Sequence, residues 1–192
     1  MKDKARKHIK ALANTITSAS LHFDIWWVYK EKDSRAKYVD ILNDYLNFFK
    51  TSLQAHFLSV VVELYKLFET RKDTVNFPRL IKLLNENNLL APEILKQFDS
   101  EKRNLKVLWK KIAILRSELF AHTSIDLSYS EAFKKAEITP NNIRDLIEGS
   151  KRFLNQISEG LERNTYYFDL EAAEDTVRVL EDLKSIINKP SL

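Results

Sequence analysis

Cysteine is absent from the 192-residue chain, which excludes disulfides and thiolate chemistry and leaves nothing that points to an oxidising compartment. Glycine occurs only twice, at Gly149 and Gly160, and proline four times. Tight turns that need positive φ are therefore scarce, and no Walker-type or GxGxxG phosphate loop is present. The same deficit argues for long helices. Long hydrophobic runs are missing as well: the longest apolar stretch, residues 57–68, is about 12 residues long against the roughly 20 that a membrane span needs. Ser59, Glu63 and Lys66 interrupt it. With no apolar leader segment at the N-terminus, the expectation is a cytoplasmic protein with no membrane attachment. Charge of one sign is also lacking. Lys plus Arg number 31 against 27 Asp plus Glu, a net +4, and the two signs are interleaved, which is a weak nucleic-acid signal. Only Lys2, Lys4, Arg6, Lys7, His8 and Lys10 form a locally basic run, as solvated helix ends commonly do.

What is present is apolar content of 44%, with 11% aromatics, enough for one domain over residues 1–192 with a real core. Helical spacing predicts a first helix over about residues 4–30, carrying Ile9, Leu12, Ile16, Phe23 and Trp27. Polar residues 31–34 end it. A long second helix is expected over about residues 35–68, apolar nearly all round in its latter half, as in a helix buried centrally in a bundle. Asn76 is a plausible cap for a short helix over about residues 79–85. Ala91-Pro92-Glu93 opens the next element, which either runs to Ala121 or restarts at Asp99 or Ser100. A short piece over about residues 131–136 follows, and Thr139-Pro140 marks a sharp helix start for an element ending near Asn164. A last helix covers about residues 170–188. The fold class is all-α, a multi-helix bundle.

One run looks arranged for chemistry rather than packing, LRSELFAHTSID, residues 115–126. With Leu105 at zero and about 100° per residue, Trp109, Ile112 and Leu119 fall within roughly 40° of zero and Arg116 at about 20°. Leu108 and Leu115 widen the same stripe. A guanidinium on the packed face of a helix is expected to be ion-paired or hydrogen-bonded, because desolvating it alone costs several kcal/mol or more. His122 lies about 9 Å further along the axis and about 120° around it, so one straight helix does not bring both to one phosphate. A distortion at Ala121-His122, or two copies of the helix packed face to face, would. A neutral imidazole with a pKa near 6.5 suits proton transfer to and from a ribose 2′-hydroxyl or a leaving 5′-oxygen. The guanidinium suits the charge that develops on the phosphate.

Other candidates are weaker. His8, His22 and His56 stand isolated and form no HxH or HExxH pattern, so neither a metal site nor a cofactor is expected. Trp26, Trp27, Tyr166, Tyr167 and Phe168 have the chemistry to stack bases, but packing in the core or at a subunit contact is the expected role.

The run from Leu115 to Asp126 resembles the Arg-x(4–6)-His signature of the HEPN superfamily. FLSVVVELYKLFETRKDTVNFPRLIKLL, residues 57–84, and AEITPNNIRDLIEGSKRFLNQI, residues 136–157, are similar to the flanking helices of its abortive-infection U-type branch. The likeness extends over about residues 40–161, with the helices at 4–30 and 170–188 packed on that core. It implies a HEPN-like homodimer acting as a metal-independent endoribonuclease in defence or toxin–antitoxin physiology, with RNA as substrate and an antitoxin or other protein as partner. Arg116 would bind the phosphate and His122 act as acid and base, with Ser117 and Asp126 in support. Two departures stand out. Ser117 occupies a place where the family favours Asn, Asp or His. Ser124 replaces the tyrosine that nucleotidyltransferase antitoxins modify in some HEPN toxins, so regulation by that route is not expected. Two alternatives stay open: a non-catalytic HEPN module that binds RNA, a nucleotide or a protein, and a scaffold in which Glu63 or Asp126 neutralises Arg116 internally.

Overall fold

Capping residues set several of the boundaries in the computed structural model, which describes residues 1–71, 73–121, 129–170 and 172–187. Among them every regular element is an α-helix. In order these are α1 (Lys2–Lys30), α2 (Lys32–Lys37), α3 (Val39–Asp44), α4 (Leu46–Lys66), α5 (Phe77–Glu86), α6 (Pro92–Ala121), α7 (Tyr129–Lys135), α8 (Pro140–Glu162) and α9 (Ala172–Ile187). No helix among the described residues is long and apolar enough to cross a membrane.

Asn76, extended at φ −150° and ψ 162°, accepts a hydrogen bond from the Arg79 N–H at 2.9 Å and opens α5. Thr139 and Asn142 form a reciprocal pair, each side-chain oxygen accepting the other's backbone N–H at 3.2 Å. That capping box satisfies two amides at the start of α8 that have no partner within the helix. Arg163, left-handed at φ 56°, ends α8. From Pro92 to Ala121 the chain is one continuous helix with no restart at Asp99 or Ser100.

The long helix expected over residues 35–68 is instead divided into α2, α3 and α4. The breaks fall at Tyr38 (φ −115°, ψ 15°) and Tyr45 (φ −113°, ψ 40°). Tyr38 is only 2% exposed and its hydroxyl donates to Glu181 at 2.7 Å. Burying that ring and bonding its hydroxyl over-rides the local helical preference of the sequence around it. The carboxylate it meets is also bonded by Lys37, whose hydrogen bond holds Glu181 below the usual carboxylate range while Lys37 itself is pushed up to about 12.

The chain forms two compact units. One comprises Met1–Ala19 with Val61–Phe168, the other Ser20–Val60 with the chain from Asp169 onward. In the larger, α6 packs along α8 and also meets α5 and α7. Its interior includes the fully buried Phe77 and Phe153, whose ring centroids are 5.0 Å apart, and Phe98, which meets Phe153 edge-on at 5.7 Å. The smaller unit gathers Val28, Tyr38, Ile41, Phe49 and Leu180 into one buried cluster.

Close approach of α6 to α8 depends on Gly149. A Cβ there would stand 2.5 Å from Leu105 Cδ2, and Leu105 is itself buried. The Gly149→Val variant is therefore expected to lose about 1–3 kcal/mol through overpacking. A urea-unfolding midpoint equal to that of the parent protein would show that the two helices have room to spare.

Candidate functional site

The periodicity of α6 brings Trp109 and Arg116, seven residues apart, to the same ring on α4. Trp109 Nε1 donates to the Tyr65 carbonyl oxygen at 2.8 Å, and the two rings stack with centroids 5.6 Å apart. That carbonyl lies in the last turn of α4, where backbone acceptors have no helical partner. The Arg116 guanidinium carbon sits 4.3 Å from the Tyr65 ring centroid and 5.8 Å from that of Phe120, one turn further along α6.

Among the described residues this arrangement is not the ion pair expected of an arginine on an apolar stripe; of the two carboxylates expected to supply that pair, Asp126 lies outside them. Arg116 is half-buried, and among the described residues no carboxylate or carbonyl hydrogen-bonds or ion-pairs with it. Glu63 is bonded to Lys66 at 2.8 Å instead. Among the described residues the compensation comes from the negative face of an aromatic ring, worth about 0.5–2 kcal/mol depending on desolvation, and from partial contact with solvent. Ring faces occupy none of the five guanidinium N–H donors in its plane. Among the described residues the charge is thus positioned while its hydrogen-bonding fork takes up no protein acceptor.

Ser117 is exposed on the neighbouring face of α6. Glu118, next along, binds Lys135 at 2.9 Å and so ties α6 to α7. His122 and Asp126, with Ser124, lie outside the described residues.

Two histidines that look isolated in the sequence meet in the structure. His22 and His56 have their Nδ1 atoms 2.8 Å apart and ring centroids 5.0 Å apart. At that separation one nitrogen donates to the lone pair of the other, so the pair shares a proton. Burial, and next the charge of His22, push His56 below the ordinary imidazole range. A lowered value in the folded state means that protonation favours the unfolded chain. The stability His56 provides is full above its unfolded value near 6.5 and is lost as pH falls through the lowered folded value. Thermal stability is therefore expected to fall between about pH 7.5 and about pH 5.5, and to fall less steeply in His56→Gln. Parallel pH profiles for the two proteins would remove this pair as the cause.

Among the described residues no group of three or more metal-ligating side chains is arranged to hold an ion. Of the aromatic residues, Trp26 is 4% exposed and packs on Phe57 at 5.2 Å. Tyr167 is 87% exposed, and its neighbour Tyr166 is clamped through its backbone by the Asn155 side chain at 2.8 and 3.0 Å.

The sequence model of the HEPN AbiU2 family, described as AbiU2, matches residues 2–187. No curated protein and no solved structure matches the chain.

Proposed function

Because the chain belongs to the HEPN AbiU2 family, we propose that it is a metal-independent endoribonuclease in which Arg116 binds the scissile phosphate and His122 transfers protons. The observation that carries this reading is the Arg116 guanidinium held over the Tyr65 ring at 4.3 Å with its N–H donors uncommitted among the described residues. In the proposed reaction the neutral His122 imidazole accepts the 2′-hydroxyl proton as that oxygen attacks phosphorus, and the imidazolium returns a proton to the leaving 5′-oxygen. Arg116 meets the extra negative charge on the non-bridging oxygens with a forked, permanently charged group. The products are a 2′,3′-cyclic phosphate and a 5′-hydroxyl. Two copies facing each other would place both groups in one shared cleft. A cytoplasmic role in defence or toxin–antitoxin physiology, with a protein partner that restrains the nuclease, accords with that family.

The test is incubation of the purified chain with RNA in the presence of a chelator. Cleavage that disappears in Arg116→Ala and in His122→Ala supports the mechanism, and cleavage that persists in both overturns it. The exposed Ser117, where HEPN nucleases favour Asn, Asp or His, supports a second reading, a non-catalytic RNA-binding module. That reading requires intact RNA together with binding that weakens as salt rises.

A further inference from the structure

Phe120 is the last large apolar side chain of α6, one turn beyond Arg116, and 49% of its surface is exposed. The Arg116 guanidinium carbon stands 5.8 Å from its ring centroid. The aromatic rings gathered around that arginine differ in how much of each is left for a further contact. Tyr65 has Arg116 over its ring at 4.3 Å and Trp109 stacked on it with centroids 5.6 Å apart. Trp109 in turn commits its indole N–H to the Tyr65 carbonyl oxygen. Both of these rings are half-buried. Among the described residues Phe120 is therefore the ring beside Arg116 that keeps a broad surface open to solvent.

An exposed phenyl ring on its own needs no explanation. Its place next to a cation gives it one. A guanidinium takes phosphate oxygens in its own plane, and a nucleobase stacks on an aromatic face whatever its sequence identity. In a strand of RNA each phosphate is one ribose away from a base, so a ring adjoining a phosphate ligand stands where a base falls. Arg116 and Phe120 are about 40° apart around the axis of α6 and roughly 6 Å apart along it, which makes them neighbours on one face. The electrostatics of the same helix favour a polyanion. No Asp or Glu occurs between Lys102 and Ser117, and Arg103, Lys106 and Lys110 are all exposed there. Phosphates are drawn to such a flank without regard to sequence, and stacking then fixes where the strand stops.

Resting on the reading of Arg116 as the phosphate ligand, we propose that Phe120 is the base-stacking residue of that site, seating the base next to the bound phosphate. Because a base must be free of its pairing partner to lie on the ring, Phe120 selects single-stranded RNA over duplex. The test is fluorescence anisotropy of the full chain with two labelled strands: 2′-O-methyl hexaadenylate, which has no 2′-hydroxyl to attack, and the same backbone without bases. Phe120→Ala is expected to weaken hexaadenylate at least fivefold and to leave the abasic strand unchanged, the low end of the scale for one stacked base. Phe120→Trp is expected to restore binding, whereas Phe120→Leu, which keeps apolar bulk without a π face, is not. Thermal unfolding of each variant controls for folding. Should Phe120→Ala fail to fold, the comparison of Phe120→Leu with Phe120→Trp decides. A loss on hexaadenylate smaller than fivefold, an equal loss on both strands, or no binding of either strand overturns the proposal. Cleavage plays no part in this measurement. A chain that stacks the base and cuts no RNA loses the nuclease reading alone, and one that cuts RNA through Arg116 and His122 without the stacking loses this inference alone.

Discussion

Cleavage of RNA by Arg116→Ala is expected to be slower than that of the parent protein by about two to three orders of magnitude, the usual cost of removing one preorganised donor to a developing oxyanion. The effect should fall on kcat more than on KM, since the charge matters most where the phosphorus carries extra electron density. Arg116→Lys keeps a positive charge but loses the planar fork and its stacking on Tyr65, so it is expected to recover only part of the rate. Tyr65→Leu leaves the arginine in place chemically and removes its perch, 4.3 Å away; a loss of about tenfold is expected from misplacement alone. Combining Arg116→Ala with His122→Ala should cost little more than the worse single change, because groups that act on one transition state do not add. Initial rates on a labelled oligoribonucleotide in chelator, with thermal unfolding as a folding control, measure all of these. A rate for Arg116→Ala within threefold of the parent would remove the arginine from the chemistry.

The second large effect concerns the core. Phe153→Ala is expected to lower the unfolding free energy by about 3–5 kcal/mol, the range for deleting a buried aromatic ring. Phe153 has no exposed surface and touches Phe77 and Phe98 with centroids 5.0 and 5.7 Å away. Its loss therefore leaves a cavity where α5, α6 and α8 converge, and both ring pairs go with it, each worth about 0.5–1.5 kcal/mol beyond buried area. For a chain of this size the thermal midpoint should drop by roughly 10 °C. A drop of only a degree or two would mean that the three helices close over the gap.

How much of this was legible in the sequence divides along the distance between interacting residues. Asn76 and Thr139 could be read as caps because the groups they bond lie three residues away. The position of Arg116 on the packed face of α6 was legible for the same reason, since a helical period is a local property. Its partner was not. Charge arithmetic favours a carboxylate for a half-buried guanidinium, and only the folded chain shows that, among the described residues, the group it meets is the face of Tyr65. The breaks at Tyr38 and Tyr45 were hidden likewise, because the hydroxyl of Tyr38 finds its acceptor at Glu181, far along the chain. His22 and His56 meet across two helices with no spacing signal between them. The one hint was local: His56 stands at the edge of the apolar stretch that begins at Phe57.

Continuity of α6 from Pro92 to Ala121 has a mechanical side. An unbroken helix transmits tilt as a stiff lever, and at about 1.5 Å per residue Phe98 and Arg116 lie roughly 27 Å apart on the same rod. The anchorage of Phe98 against Phe153 thus fixes the aim of a side chain it never touches. A few degrees of play at that pivot becomes a displacement of about 1 Å at the far end, enough to cost the phosphate-binding role proposed for Arg116 roughly a hundredfold in rate.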